Sequence, residues 1–289
     1  MRRIQCGSIA AVAILGFASN ACAADLPMKA PVYKAPVAAP AFGWTGFYIG
    51  ASVGYGWSDA DLDLASVGNP IPPFPARFLD AVAGAVPPVL ATHPRGFIGG
   101  GQFGYNYQIN RLVLGYEADF SFADIRGSDT KGGTANLFPS PPLNITAAGE
   151  QKLNFLGTVR GKLGFTPIDS LLVYATGGLA YGHVESSTKT SDVASTFSTS
   201  PASGSASAVR AGWTAGGGIE SALAFAPRWS LKAEYLYYDL GKLSDALSPA
   251  TLFAGDGNII GNPVGAINTT ATARFQGNVV RIGLNYKIN

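Results

Sequence analysis

Hydrophobic and polar residues alternate with a period of two along the stretch WTGFYIGASVGYGW, residues 44–57. From Thr45 to Trp57 the odd positions are mostly apolar, whereas the even positions are small or polar and include four glycines. A period of two is typical of a β-strand with one apolar face. A helix is disfavoured, because each glycine costs a helix about 1 kcal/mol relative to alanine. We therefore predict a strand here.

The same alternation recurs in seven later segments, although less cleanly in residues 171–184. Aromatic and aliphatic residues hold one parity in each segment, and charged, small or polar residues hold the other. Each segment is long enough to cross a bilayer at a tilt. The predicted strands are 44–57, 96–108, 112–124, 151–165, 171–184, 209–225, 229–240 and 277–288.

The connections between these strands alternate in length. Three are short (109–111, 166–170 and 226–228), and four are long (58–95, 125–150, 185–208 and 241–276). Short periplasmic turns and long extracellular loops are typical of outer-membrane barrels. The predicted fold is therefore all-β, an eight-stranded antiparallel up-and-down transmembrane β-barrel with both chain ends in the periplasm.

Composition supports a membrane barrel over a soluble domain. Charged residues make up 13% of the chain, against about 25% in soluble proteins, yet no run of 18 apolar residues follows the first 23 positions. Low charge without long apolar runs fits strands that present alternate residues to lipid.

The N-terminal region is typical of an exported protein. Arg2 and Arg3 precede the apolar stretch 9–17, and Ala21-Cys22-Ala23 fits a small-x-small cleavage site. Cleavage there removes both cysteines and leaves 18 basic against 18 acidic residues, so no basic face for nucleic acid is expected. The predicted regions are a signal peptide (1–23), a proline-rich periplasmic linker (24–43) and an outer-membrane barrel (44–289).

Aromatic residues cluster near both ends of the predicted strands. Bilayer interfaces favour tryptophan and tyrosine, so we expect two aromatic girdles on the lipid-facing surface. The predicted girdle residues are Trp44, Trp57, Tyr107, Phe165, Trp213, Phe225, Trp229 and Tyr286.

Parity also assigns charged residues to the barrel lumen: Glu117, Asp119, Lys152, Arg160, Lys162, Glu220, Lys232, Glu234 and Arg281. An eight-stranded barrel is just wide enough for side chains to fill, and unpaired charges there are costly. We expect these four acids and five bases to form an ion-pair network that plugs the lumen. A narrow or gated polar pore is the alternative.

A lipid A-modifying enzyme is a further alternative, and it would need a nucleophile and a base. His93 lies in a proline-rich segment, and His183 lies near the outer rim with Glu185, Ser186 and Ser187 after it. Catalysis requires mutual geometry rather than sequence neighbourhood. We predict no enzyme activity, no cofactor and no metal site.

Several stretches resemble the outer membrane immunogenic protein, or small porin-like, family of alphaproteobacteria, whose barrel is similar to the OmpA-type eight-stranded domain. The matching stretches cover nearly all predicted strands and include ADLPMKAPVYKAP, WTGFYIGASVGYGW, GGGQFGYNYQ, LGYEADFSFADI, LGTVRGKLGF, LLVYATGGLAYG, AGWTAGGGIE, LKAEYLYYDLG and NVVRIGLNYKI. The family usually ends in phenylalanine, which the barrel assembly machinery reads. This chain departs from that pattern with Ile288-Asn289.

The resemblance implies a structural protein that supports envelope integrity and exposes antigenic loops. Some relatives that begin with Ala-Asp after cleavage are joined to peptidoglycan through the alanine, which implies the same role for Ala24 and Asp25. The expected partners are outer-membrane lipid and lipopolysaccharide, the barrel assembly machinery and peptidoglycan. No nucleic acid partner is expected, and a monomer is expected because a closed barrel has no free edge. A narrow diffusion channel or a surface adhesin are the alternatives.

Overall fold

A computed structural model describes residues 42–137, 141–193, 197–254 and 262–288. Within these ranges the chain forms twelve strands and one helix of ten residues, and no helix there is long and apolar enough to cross a membrane. The elements are β1 (Gly46–Trp57), β2 (Asp61–Pro70), α1 (Ala76–Ala85), β3 (Val89–Ala91), β4 (Arg95–Ile109), β5 (Leu112–Ala135), β6 (Leu143–Ile168), β7 (Leu171–Val193), β8 (Phe197–Thr199), β9 (Ala202–Leu223), β10 (Ala226–Ala246), β11 (Ala250–Ala254) and β12 (Asn262–Lys287).

The sheet closes on itself through antiparallel pairs. Its order is β1-β4-β5-β6-β7-β9-β10-β12, and β12 pairs with β1 again. The fold is therefore an all-β barrel. Residues 48–57 of the first strand pair with residues 278–287 of the last strand, so neither strand has a free edge there. The described part has more strands than the sequence predicts, because β2, β3, β8 and β11 form within segments predicted to be loops.

The predicted long loops are largely strand, so that part of the sequence prediction is wrong. β5 continues to Ala135, β6 begins at Leu143, β7 continues to Val193 and β12 begins at Asn262. These extensions have polar residues on their outer face and many serines, threonines and glycines. The extensions therefore lack the exposed aromatic residues found on the parts of the strands that the sequence predicts.

The exterior carries an apolar belt, defined as the band of exposed hydrophobic side chains that surrounds the barrel over one half of its length. On β5 its members Leu112, Leu114, Tyr116, Phe120 and Phe122 are 40–72% exposed. Ten residue steps of about 3.3 Å at a tilt of about 40° give a height of about 25 Å, as in outer-membrane barrels. Beyond Phe122 the exterior of β5 becomes polar, beginning with Asp124 and Arg126.

At the edge of the belt where the exterior becomes polar, the interior becomes apolar. Within the belt the interior is charged, whereas beyond it the interior is a hydrophobic cluster, here called the outer core. Its buried members include Leu62, Leu64, Leu79, Val82, Leu90, Ile125, Leu143, Ile145, Leu153, Leu240 and Leu243. The strand extensions are thus built like a water-soluble sheet, with an apolar inside and a polar outside.

Helix α1 completes the outer core. Leu79, Val82, Ala83 and Ala85 of α1 are buried in it. A Cβ atom on Gly68 of β2 would lie 2.7 Å from the Leu79 backbone carbonyl carbon, which is too close for any other residue. The helix therefore lies directly on the backbone of β2.

Register shifts lie where the interior changes from charged to apolar, and two of them are bulges that exchange the two faces of a strand. In β6, Leu153 pairs with Val184 and Phe155 pairs with His183, which leaves Asn154 as the extra residue. In β10 the register shifts between Asp239 and Lys242, with Gly241 at a φ of +80°. An extra residue reverses the alternation of faces along a strand. Leu153 and Leu243 consequently face inward.

Leu153→Asp should disrupt the extension without removing the barrel. The bulge turns Leu153 into the outer core, where it is 3% exposed, so a carboxylate at this position would be buried without a partner. We expect proteolysis of the refolded protein in vesicles to cut the extension of this variant rapidly. The matched control, Asn154→Ala, changes the exposed bulge residue and should stay resistant. Equal resistance of both variants would contradict the role of the bulge.

Candidate functional site

Eight charged side chains meet in the lumen at the level of the apolar belt, and they form the charged lumen layer. Each is at most 5% exposed. The layer contains four carboxylates and four cations, so its formal charges balance. Its members are Glu117 and Asp119 of β5, Arg160 and Lys162 of β6, Glu220 of β9, Lys232 and Glu234 of β10, and Arg281 of β12.

Glu117 is the centre of this layer. Its carboxylate lies 2.5 Å from Arg160 Nη2, 2.8 Å from Lys232 Nζ and 3.2 Å from Lys162 Nζ. The Tyr48 hydroxyl donates a further hydrogen bond of 2.8 Å to Oε2. One carboxylate thus contacts cations from β6 and β10, which are not neighbours in the sheet. These contacts cross the lumen rather than follow its wall.

The two arginines bridge the other acids. Arg281 donates through Nε and Nη2 to Glu234, at 2.7 and 2.6 Å, and through Nη2 to Asp119 at 3.0 Å. Arg160 donates to Glu234 at 3.0 Å and to Asp119 at 2.9 Å. The planar guanidinium group can serve two carboxylates at once, which lysine cannot do with the same geometry.

Glu220 is paired less closely than the other acids. Oε1 accepts hydrogen bonds from Ser230 at 2.5 Å and from Asn285 at 2.8 Å. Oε2 has no hydrogen-bond partner in the described structure, and its nearest cation, Lys162 Nζ, is 3.7 Å away. That ammonium also lies 4.4 Å from the centroid of the Tyr174 ring.

Uncharged side chains that sequence analysis did not single out complete the layer. Gln102 accepts from Lys232 at 2.8 Å, Thr158 donates to Asp119 at 2.5 Å, and Tyr174 donates to Glu234 at 2.9 Å. Thr158 has the same parity as Arg160 and Lys162 on β6, and Gln102 and Tyr174 have the inward parity of β4 and β7, so parity could have identified them. The charged members of the layer differ from these three residues in being recognisable in the sequence by charge as well as by parity.

Lys152 does not belong to the layer, so its predicted lumen position is wrong. It lies on the far side of the Asn154 bulge, where β6 has changed faces. Its ammonium pairs with Glu150 at 3.0 Å, and the two side chains are 38% and 40% exposed. The removal of this one cation turns the predicted excess of bases into an equal count.

Trp44 is also misplaced by the sequence prediction, because it is not in the lipid-facing girdle. It is 3% exposed and packs with Val113, Leu172 and Tyr174 inside one end of the barrel. Its indole Nε1 donates to the Asp169 carbonyl at 3.0 Å. Even positions of β1 face the lumen, and Trp44 continues that parity. We call this cluster the inner plug.

The other predicted girdle residues are on the exterior. Exposure is 38–86% for Tyr107, Phe165, Trp213, Phe225 and Trp229, and Trp57 and Tyr286 are partly exposed. Ala24 and Asp25 lie outside the described residues.

His183 does sit beside a serine and an acid on the exterior of the rim. Its Nε2 is 3.0 Å from Ser207 Oγ and its Nδ1 is 3.6 Å from Glu185. The Asn154 amide nitrogen, a donor only, lies 3.0 Å from Nδ1 and 2.7 Å from Glu185. With Nδ1 as acceptor, the ring proton is on Nε2 and points to Ser207. This arrangement does not allow His183 to take a proton from Ser207.

Three layers therefore fill the lumen in series: the inner plug, the charged lumen layer and the outer core. Within the described ranges, no group of three or more His, Cys, Asp or Glu residues could hold a metal ion. The arrangement can neutralise charge and tie distant strands together.

The model of the outer membrane protein beta-barrel domain family matches residues 10–287. The chain belongs to this family. It is 36% identical to the 31 kDa outer-membrane immunogenic protein of Brucella melitensis, over 99% of this chain and all of that protein. It is 27% identical to the 25 kDa outer-membrane immunogenic protein of Brucella abortus, over 87% of this chain and 92% of that one. The resemblance seen in the sequence is confirmed, and the protein is an integral outer-membrane β-barrel.

Solved barrels show weaker similarity. The attachment invasion locus protein of Yersinia pestis has 13% identity and a TM-score of 0.25, over 82% of this chain and 99% of that one. The outer membrane protein OprG of Pseudomonas aeruginosa has 11% identity and a TM-score of 0.34, over 84% and 97%. Similarity at this level does not extend to function.

Glu117→Gln should destabilise the barrel strongly, because it leaves the Arg160, Lys162 and Lys232 cations short of a buried partner. Breaking a buried pair costs about 3–5 kcal/mol. Lys152→Gln alters an exposed pair and should cost at most about 1 kcal/mol. Urea unfolding in lipid vesicles measures both. Equal destabilisation by the two substitutions would contradict the separation of Lys152 from the layer.

Proposed function

We propose that this protein is a structural outer-membrane β-barrel that supports envelope integrity and has a closed lumen. The observation that carries the proposal is the charged lumen layer, in which four acids and four bases are buried and balanced. Apolar clusters lie on either side of it along the barrel. A conducting pore needs a hydrated path, and these packed layers favour closure instead.

The proposed orientation has eight membrane-spanning strands, which are those of the closed ring. Their short connections at 110–111, 169–170 and 224–225 would face the periplasm together with the N-terminus. The hydrogen bond of Trp44 to the Asp169 carbonyl supports this, because it joins the chain before β1 to one of these connections. The strand extensions and α1 would then form the exposed antigenic surface.

A surface adhesin is a second candidate, and the tip beside α1 favours it. Ile71, Pro72 and Pro73 are exposed at the start of the segment that leads into the helix. An exposed, partly apolar segment on such an extension suits protein contact.

Single-channel recording in planar bilayers tests the closed lumen against the narrow diffusion channel. We expect the folded protein to give no discrete openings. Trp44→Ala should also remain silent, because the charged lumen layer and the outer core still close the path. Steady openings of the wild-type protein would overturn the proposal. Openings in Trp44→Ala alone would show that the inner plug is the barrier.

The second part of the proposal is attachment to peptidoglycan through Ala24, with Asp25 following it. Residues 24–43 would reach about 60 Å if extended at about 3.1 Å per residue, which is long enough to approach the cell wall. Mass spectrometry of digested peptidoglycan should find muropeptides joined to an Ala-Asp peptide. Asp25→Ala is the matched variant and should reduce them. Wild-type peptidoglycan without such peptides would contradict attachment.

A further inference from the structure

A groove on the exterior lies at the outer edge of the apolar belt. It measures about 680 Å³ and is lined by Val53, Tyr55, Phe97, Gly99, Phe122 and Val280. The groove exists because Gly99 offers no side chain among large neighbours. Tyr55 and Phe97 pack edge to face, with ring centroids 5.4 Å apart, and form one wall. An apolar groove of this kind within the belt suits an acyl chain.

Three cations lie in one row directly beyond the groove. Arg95 of β4 is opposite Arg126 of β5, which is opposite Lys152 of β6. Three strands about 4.8 Å apart place these residues along a row of about 10 Å. At one end of the row, Trp57 of β1 lies opposite Arg95 of β4. Its indole ring is of a kind that favours the membrane interface.

Acids near this row offset its charge in the part formed by Arg126 and Lys152, and Glu185 of β7 is directly opposite Lys152. Asp124 lies at the rim of the groove and pairs with Arg126 at 2.6 Å, and Glu150 pairs with Lys152 at 3.0 Å. Among the described residues, Arg95 makes no ion pair, and it is exposed. Arg95 is therefore available for an anion at the headgroup level, and guanidinium groups bind phosphate in a bidentate manner.

We propose that the groove and the cationic row bind a phosphorylated glycolipid of the outer leaflet. One acyl chain would occupy the groove over Gly99, and the phosphates would contact Arg95 and its neighbours in the row. A row of about 10 Å suits a headgroup that carries two phosphates rather than the single phosphate of a glycerophospholipid. The inference rests on the proposed orientation, in which this edge of the belt faces outward.

Binding of diphosphoryl lipid A to the folded full-length barrel in detergent tests the site, with native mass spectrometry as the readout. Arg95→Glu and Gly99→Leu should each weaken binding by about fivefold to tenfold, because they remove a charge-assisted contact and fill the groove. Matched controls are Lys189→Glu, an exposed cation on the β7 extension, and Gly177→Leu, an exposed glycine on β7. Both should bind as the wild type does. Heat-modified gel mobility confirms that each variant is folded, and Arg95→Glu alters no packed residue.

Two results would overturn the inference. One is equal lipid A binding by Arg95→Glu and Lys189→Glu. The other is phosphatidylglycerol binding as tightly as lipid A, which would assign the groove to a phospholipid. Channel openings would overturn the closed lumen but leave this result intact. A wild-type barrel that gives no channel openings but binds lipid A no better than phosphatidylglycerol would overturn only the lipid site.

Discussion

Charge balance inside a lumen that only side chains can fill is the constraint on which the rest of the barrel depends. A carboxylate or ammonium group removed from water costs several kcal/mol unless opposite charges and hydrogen bonds replace the solvent. Glu117 meets that demand with four cations and Tyr48, and Arg281 and Arg160 link Asp119 to Glu234. Because these contacts join opposite walls of the barrel, they fix the distances between those walls.

The same chain solves a different solvation problem outside the membrane. Within the belt, lipid surrounds the barrel, so apolar side chains point out and charges point in. Beyond the belt, water surrounds the strands, so the arrangement reverses and an apolar core with α1 fills the interior. The bulges at Asn154 and Gly241 lie at this boundary. Each lets a single strand serve both environments, because one extra residue exchanges its two faces.

Much of the belt could be predicted from the sequence, because lipid imposes a strict alternation there. The parity of Glu117, Asp119, Arg160 and Arg281 placed them correctly inside the barrel, and Tyr107, Phe165 and Trp229 on its exterior. The extensions were predicted less well. Their inward leucines are separated by serine, threonine and glycine rather than by exposed aromatics, a pattern shared with irregular loops. Trp44 was misassigned because its residue type outweighed its parity.

By itself, the sequence determined that the protein is an all-β membrane barrel whose lumen carries both signs of charge, because the period of two and the low charge content can be counted along the chain. Only the tertiary structure decided which charges meet. A bulge has no composition of its own, so the exit of Lys152 from the lumen, and with it the equality of acids and bases, depends on strand pairing. The placement of α1 in the outer core likewise depends on contacts between segments that are distant in the chain.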